Sequence, residues 1–193
     1  MDYWQHLKSA VSQIVELDDK TWERFVTIWR VHEVKKGEAL TNTGEIEKNL
    51  YFVCDGVQRV YYMDDNLKEA TLVLTYPYSF AGVVDSFMLQ QPSKYSFEAL
   101  SKSTFLKTSY SQLNKMISED KHIDQFVKTA LYYAFSGLLE RMVDLQCKTS
   151  EEKFKTLLKR SPQVLQIVPQ KYLANYLGID PTNFSKLMNS VRF

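Results

Sequence analysis

The stretch LYFVCDGVQRVYYM, Leu50 to Met63, holds two runs of β-favouring residues on either side of Asp55-Gly56. Aromatic and β-branched side chains suit a pleated, half-buried surface. An Asp-Gly dipeptide between two such runs is the strongest short-range hairpin signal a sequence carries. The stretch therefore predicts two strands paired through a tight turn. Upstream, VHEVKKGEAL (31–40) contains a Lys-Gly turn and TNTGEIEKN (41–49) is a turn-rich loop. Downstream, EATLVLTY (69–76) continues the pattern, and YSFEAL (95–100) and TFLKTSY (104–110) are expected to pair across SKS. Several short strands at this spacing indicate a sandwich or barrel of the jelly-roll kind, not βαβ units.

Helices flank this β region. Asp18 or Asp19 can cap a helix whose apolar positions include Trp22, Phe25, Val26 and Trp29, at helical spacing within a helical segment 1–30. After Tyr110 the period changes again. Ile123, Val127, Ala130, Ala134, Leu138, Met142 and Leu145 step by three or four residues, so one apolar stripe runs along a helix of some six turns. Gly137 sits inside it at a cost of about 1 kcal/mol relative to Ala. Such a stripe can cover itself on the β-domain or on a second copy. A two-fold dimer with these helices packed on each other is expected.

QKYLANYLGIDPTNFSKLMNS (170–190) reads as two short helices around a turn. Leu173 and Leu177 share one face, and Ala174 is small where a second helix would cross. Gly178 supplies the left-handed conformation that ends the first helix. Ile179 plugs the turn, Asp180 has N-cap chemistry and Pro181 suits the first helical position. Phe184, Leu187, Met188 and Val191 form the buried face of the second helix. Thr182, Ser185, Lys186 and Asn189 lie opposite, with the donors and acceptors that read base edges in a major groove. This is the spacing of a DNA-binding helix-turn-helix, with 180–191 as its recognition helix.

Charge supports that reading. The chain carries 24 Lys/Arg and 23 Asp/Glu, yet from Lys148 on there are eight basic and three acidic residues, giving +5 there and −4 elsewhere. A basic end on an acidic body is the asymmetry of a small nucleic-acid reader, and Lys171 is a candidate phosphate contact. Cys54 and Cys147 are too far apart for a metal knuckle, and His6, His32 and His122 have no ligand spacing, so no metal site is expected. No G-x-S-x-G, P-loop, H-E-x-x-H or dinucleotide fingerprint occurs, and no catalytic residues or enzymatic activity are expected. No run approaches a membrane span and the N-terminus lacks a secretory pattern, which predicts a cytoplasmic protein without membrane contact.

The order of parts resembles the Crp/Fnr family of transcription regulators. KKGEALTNTGEIEKNLYFVCDGVQRVYY (35–62) is similar to that family's β-roll signature, with Gly37, Gly44 and Gly56 at its turns. The resemblance implies an α+β fold in three parts. A cyclic-nucleotide-binding-like double-stranded β-roll with an N-terminal helix would span 1–110, a long dimerisation helix 111–147, and a helix-turn-helix domain lacking a full C-terminal wing 148–193. It also implies a homodimer on pseudo-palindromic double-stranded DNA, base contacts from Pro181, Thr182 and Lys186, and RNA polymerase as a further partner. Its effector pocket would fall at SFAGVVDSFMLQQPSKYSFEAL (79–100), around Gly82, Val83, Ser93, Lys94 and Tyr95. Nucleotide-binding members carry Gly-Glu there, then an Arg about ten residues on. Here Val83 follows Gly82 and Ser93 stands near the Arg position. Neither recognises a cyclic phosphate, and Ser93 and Lys94 would point to opposite faces of a strand. No cofactor is expected, and cyclic AMP least of all. The alternative is a small-ligand sensor module acting mainly through protein contacts.

Overall fold

The computed structural model describes residues 2–190. Two helices open the chain, α1 (Tyr3–Ser12) and α2 (Asp19–Thr27). The side chain of Asp2 caps the first, and Asp18 caps the second by accepting from the Thr21 N–H at 2.8 Å. The β region follows as β1 (Arg30–Val34), β2 (Ala39–Thr41), β3 (Asn49–Asp55), β4 (Gln58–Met63), β5 (Glu69–Thr75), β6 (Phe80–Ala81), β7 (Ser96–Ala99) and β8 (Ser103–Ser109). A short helix, α3 (Val84–Leu89), separates β6 from β7. The strands form two antiparallel four-stranded sheets, ordered β1-β8-β3-β6 and β2-β7-β4-β5.

This topology corrects two pairings expected from the sequence. The Asp55-Gly56 turn does not close a hairpin, because β3 and β4 lie in different sheets. The Ser101–Ser103 turn likewise carries the chain from β7 in one sheet to β8 in the other. Both are corners of the roll, and they pack on each other: the Val57 N–H donates to Ser101 Oγ at 2.9 Å, and the Leu100 N–H to the Val57 carbonyl at 2.8 Å. Gly56 is held at φ +90° so close to this second corner that a Cβ would sit 2.5 Å from the Lys102 carbonyl oxygen. The Asp-Gly signal thus marks a sharp turn whose geometry local sequence cannot distinguish from a hairpin. β4 and β5 do form one, with Gln58 opposite Thr75.

Alternation along β3 shows how the layers are built. Tyr51 and Val53 face the interior of the roll, which they fill with Phe105 of the same sheet and Val60, Phe97 and Ala99 of the opposite one. Phe52 and Cys54 face outward, under a helical layer anchored by Leu7, Phe25, Trp29 and Phe126. A strand covered on both faces reads as a continuous apolar run, as this one does. Burial pushes the Cys54 thiol up to about 11, whereas Cys147 is exposed.

α4 (Tyr110–Glu119) and α5 (Lys121–Cys147) meet at Asp120, which caps α5 through the His122 N–H at 3.0 Å and accepts from the Thr21 hydroxyl at 3.2 Å. Four helices complete the chain: α6 (Ser150–Arg160), α7 (Val164–Ile167), α8 (Gln170–Leu177) and α9 (Pro181–Ser190). A capping box between Thr149 and Glu152 starts α6. Phe154, Leu158, Val164, Leu173, Leu177 and Phe184 form the core of this helical part, which also takes in Val57 and Leu100 from the β-roll. No described helix is long and apolar enough to cross a membrane. Among the described residues, no cluster of His, Cys, Asp and Glu could hold a metal ion.

Candidate nucleic-acid interface

α8 and α9 form the expected helix-turn-helix. Leu173, Ala174 and Leu177 are buried, Gly178 ends α8 at φ +60°, and Ile179 is buried in the turn. Asp180 caps α9, its carboxylate accepting from the N–H groups of Thr182 at 2.9 Å and Asn183 at 3.2 Å. Phe184 and Leu187 face inward, with Phe184 edge-on to Phe154 at 5.5 Å. Pro181, Thr182, Ser185, Lys186 and Asn189 are exposed together on the opposite side. Asn189 donates to the Ser185 carbonyl at 3.0 Å, one turn back. Val191, read as the next apolar position, lies outside the described residues. On α8, Lys171 is exposed with its ammonium 4.5 Å from the centre of the Tyr172 ring.

The other side of α8 is docked on the β-roll, through residues that the sequence did not single out. β5 is the outer strand of its sheet, so one edge of its backbone needs partners. Asn175 supplies them: its Oδ1 accepts from the Thr71 N–H at 2.5 Å and its Nδ2 donates to the Glu69 carbonyl at 2.8 Å. Arg141 of α5 donates to the carbonyls of both Thr71, at 3.1 Å, and Tyr176, at 2.8 Å. Arg59, 3% exposed on β4, pairs with Glu98 at 2.6 Å and Glu69 at 2.7 Å. Its guanidinium lies between the Tyr61 ring at 4.0 Å and the Tyr172 ring of α8 at 4.4 Å. Tyr76 and Ser161 share a further hydrogen bond across the junction.

The α5 stripe divides into three. Ile123 and Val127 are buried in the chain's own core, beneath the helical layer, so they cannot serve a dimer. Ala130 is partly covered, and Leu131 packs against the same core. Ala134, Leu138, Met142 and Leu145 are exposed, joined by Tyr132, Phe135, Leu139 and Val143. The exposed apolar surface is thus wider than one stripe and begins at Tyr132, about two and a half turns after Ile123. Phe135, Leu138, Met142 and Leu145 step by three, four and three, the spacing of a coiled-coil seam. The sequence reading passed over Phe135 because it followed a stripe beginning at Ile123.

The region expected to hold an effector is built mostly from the chain's own side chains. Val83 is 2% exposed and belongs to the interior of the roll, with Tyr95 packed against the same cluster. Ser93 and Lys94 precede β7 in a bend, so strand alternation does not separate them as expected; the bend does. Ser93 is buried, its hydroxyl accepting from the Tyr95 N–H at 2.9 Å and donating to the Tyr95 carbonyl at 2.6 Å, while Lys94 is exposed. Tyr51 meets Phe97 at 5.6 Å and Phe105 at 5.2 Å between the sheets. Beside Gly82 lies Glu47, 1% exposed, accepting from the Thr41 hydroxyl at 2.6 Å and the Asn49 N–H at 3.0 Å. Burial raises its carboxyl above the ordinary range.

By sequence, residues 31–120, a span that takes in most of the β-roll, match the family described as Cyclic nucleotide-binding domain. The chain as a whole has the fold of Crp/Fnr-family transcription regulators. It is similar to FixK2 from Bradyrhizobium japonicum, with a TM-score of 0.75 and 16% identity over 84% of this chain and 83% of that one. A transcriptional regulator of the crp/fnr family from Eubacterium rectale gives 0.69 and 15% over 90% and 82%. The Catabolite Activator Protein of Thermus thermophilus gives 0.59 and 15% over 94% and 85%. No curated protein matches the chain by sequence.

Proposed function

We propose that this chain is a cytoplasmic, non-enzymatic transcription regulator that binds a pseudo-palindromic DNA site as a homodimer through α9. The observation that carries the reading is the exposed face of α9. Thr182, Ser185, Lys186 and Asn189 are presented together, while Phe184 and Leu187 fix the helix from behind. The exposed apolar surface of α5 supports self-association, since eight large apolar side chains between Tyr132 and Leu145 would otherwise face water. A two-fold dimer would place its half-sites about one helical turn, ~34 Å, apart. RNA polymerase is the partner such a regulator would act on.

Cyclic AMP is not its effector in this reading. The Val83 side chain cannot accept a hydrogen bond, and Ser93 carries no charge while its hydroxyl is engaged by backbone.

Selection of bound duplexes from a random library, followed by gel-shift titration, tests the function. A palindromic consensus is expected. Lys186→Ala should weaken binding by about 1–3 kcal/mol and relax preference at one position of each half-site. Equal affinity for all duplexes, or indifference to both Lys186→Ala and Thr182→Ala, overturns it.

A further inference from the structure

A cavity of about 70 Å³ lies where β5, α5, α6 and α8 meet. A single water needs only ~10–15 Å³ of such space, so the cavity admits several waters or one polyatomic ion. Its walls come from both parts of the molecule: Tyr76 from the end of β5, Arg141 from α5, Lys153, Thr156 and Arg160 from α6, and Ser161 just beyond.

The charges on these walls do not balance. Three cations line the cavity against one carboxylate, Asp144, which is held by Lys148 at 2.7 Å. Arg160 has Glu140 at 3.1 Å. Among the described residues, neither Arg141 nor Lys153 has a carboxylate within ion-pair distance. Arg141 is held by the carbonyls of Thr71 and Tyr176 and lies 3.6 Å from the Tyr176 ring, and burial lowers its pKa. The Lys153 ammonium makes no hydrogen bond among these residues. Asp144 acts on Arg141 only from beyond contact distance, and a partly buried guanidinium without a carboxylate in contact is costly, whereas the same group hydrogen-bonded to an anion is less so. The same walls carry hydroxyls: Tyr76 and Ser161 share a hydrogen bond that leaves one of their two O–H donors, and Thr156, which accepts from Lys148 at 3.1 Å, keeps its own.

We infer that this junction cavity binds a small oxyanion, a free phosphate-sized ion or the carboxylate of a small metabolite, between Lys153, Arg141 and Arg160. Neither the interior of the roll nor the DNA-facing side of α9 takes part, so the site stands apart from the proposed reading of DNA. Because its cations come from α5 and α6 and its hydroxyls from both parts, an occupied site ties the β-roll to the helix-turn-helix domain.

Calorimetric titration of the full chain with inorganic phosphate, sulfate and acetate tests it. Saturable binding at one site per chain is expected for at least one of the three. A preference for phosphate and sulfate assigns a tetrahedral ion, and a preference for acetate assigns a carboxylate. Lys153→Met should weaken binding about tenfold, the loss of one charge-assisted hydrogen bond. Lys36→Met, in the exposed turn between β1 and β2, should bind as the native chain does. Circular dichroism of Lys153→Met should match native, since that ammonium holds no structural contact. The inference is overturned if none of the three anions binds saturably, or if Lys153→Met and Arg160→Met both retain native affinity.

Discussion

The side-chain amide of Asn175 lies against Thr71 as a neighbouring strand would, its oxygen accepting the Thr71 N–H at 2.5 Å. Its nitrogen donates to Glu69, so one residue satisfies a donor and an acceptor on the open edge of β5. The helix that positions α9 is therefore fastened to the β-roll by backbone recognition as well as by side-chain packing.

Asn175→Leu should leave the Thr71 N–H and the Glu69 carbonyl without these partners, at about 1–3 kcal/mol for buried groups. Hydrogen exchange at Thr71 should accelerate roughly tenfold or more, while amides of β3 keep their protection. Unchanged exchange at Thr71 would mean that the amide does not hold the edge.

Burial separates two parts of α5. Phe135 is 63% exposed, so Phe135→Asp should leave the fold intact and yield a monomer in sedimentation at micromolar concentration. Ile123 is fully buried, so Ile123→Ala should instead destabilise the monomer fold by about 2–5 kcal/mol. A native chain that sediments as a monomer would remove α5 as a dimer surface.

The glycines at two turns should differ in tolerance. At Gly178 an added Cβ would meet only Leu145, at an ordinary 3.7 Å, so Gly178→Ala should cost about 1–2 kcal/mol for left-handed backbone alone. At Gly56 the same atom would fall 2.5 Å from the Lys102 carbonyl oxygen, so the two corners must separate. Gly56→Ala should add about 1–3 kcal/mol of overpacking to the backbone term, measured as a lower urea midpoint. Equal midpoints for the two variants would contradict the corner packing.

Glu47 gives the roll a pH dependence of defined sign. Burial raises its carboxyl above the ordinary 4.5, so the folded state binds this proton more tightly than the unfolded chain does. Its contribution to stability is therefore fully present below 4.5 and is lost as pH rises through the folded-state value. The stability difference between native and Glu47→Gln should shift against the native chain on going from acid toward neutral pH. A difference that is flat across this interval, or of opposite slope, would show that Glu47 titrates as it does unfolded.

Local chemistry made the helix-turn-helix legible. Gly178, Asp180, Pro181 and the leucine spacing each act within a turn or two of their own position, and the structure has all of them in the expected places. The strands were legible for the same reason, through β-favouring runs and turn residues. Which strands pair was not, because Asp55-Gly56 bends the chain equally well within a sheet or between two. The α5 stripe was legible as apolar but not by destination, since Ile123 and Leu138 differ only in what the β-roll covers. Docking was the least visible. Asn175 addresses the backbone of a residue 104 positions away, and a backbone leaves no side-chain signature in sequence.

The two cysteines give the native chain a built-in spectroscopic ruler. Cys54 lies beneath the helical layer with its thiol pushed up to about 11, so it stays protonated and shielded from maleimides near neutral pH. Cys147 is exposed at the last turn of α5, next to the start of the helix-turn-helix domain. A spin label or fluorophore should therefore attach at one known point per chain without any engineered residue. In a dimer, the distance distribution between two such labels would report how the two C-terminal helical domains move relative to each other.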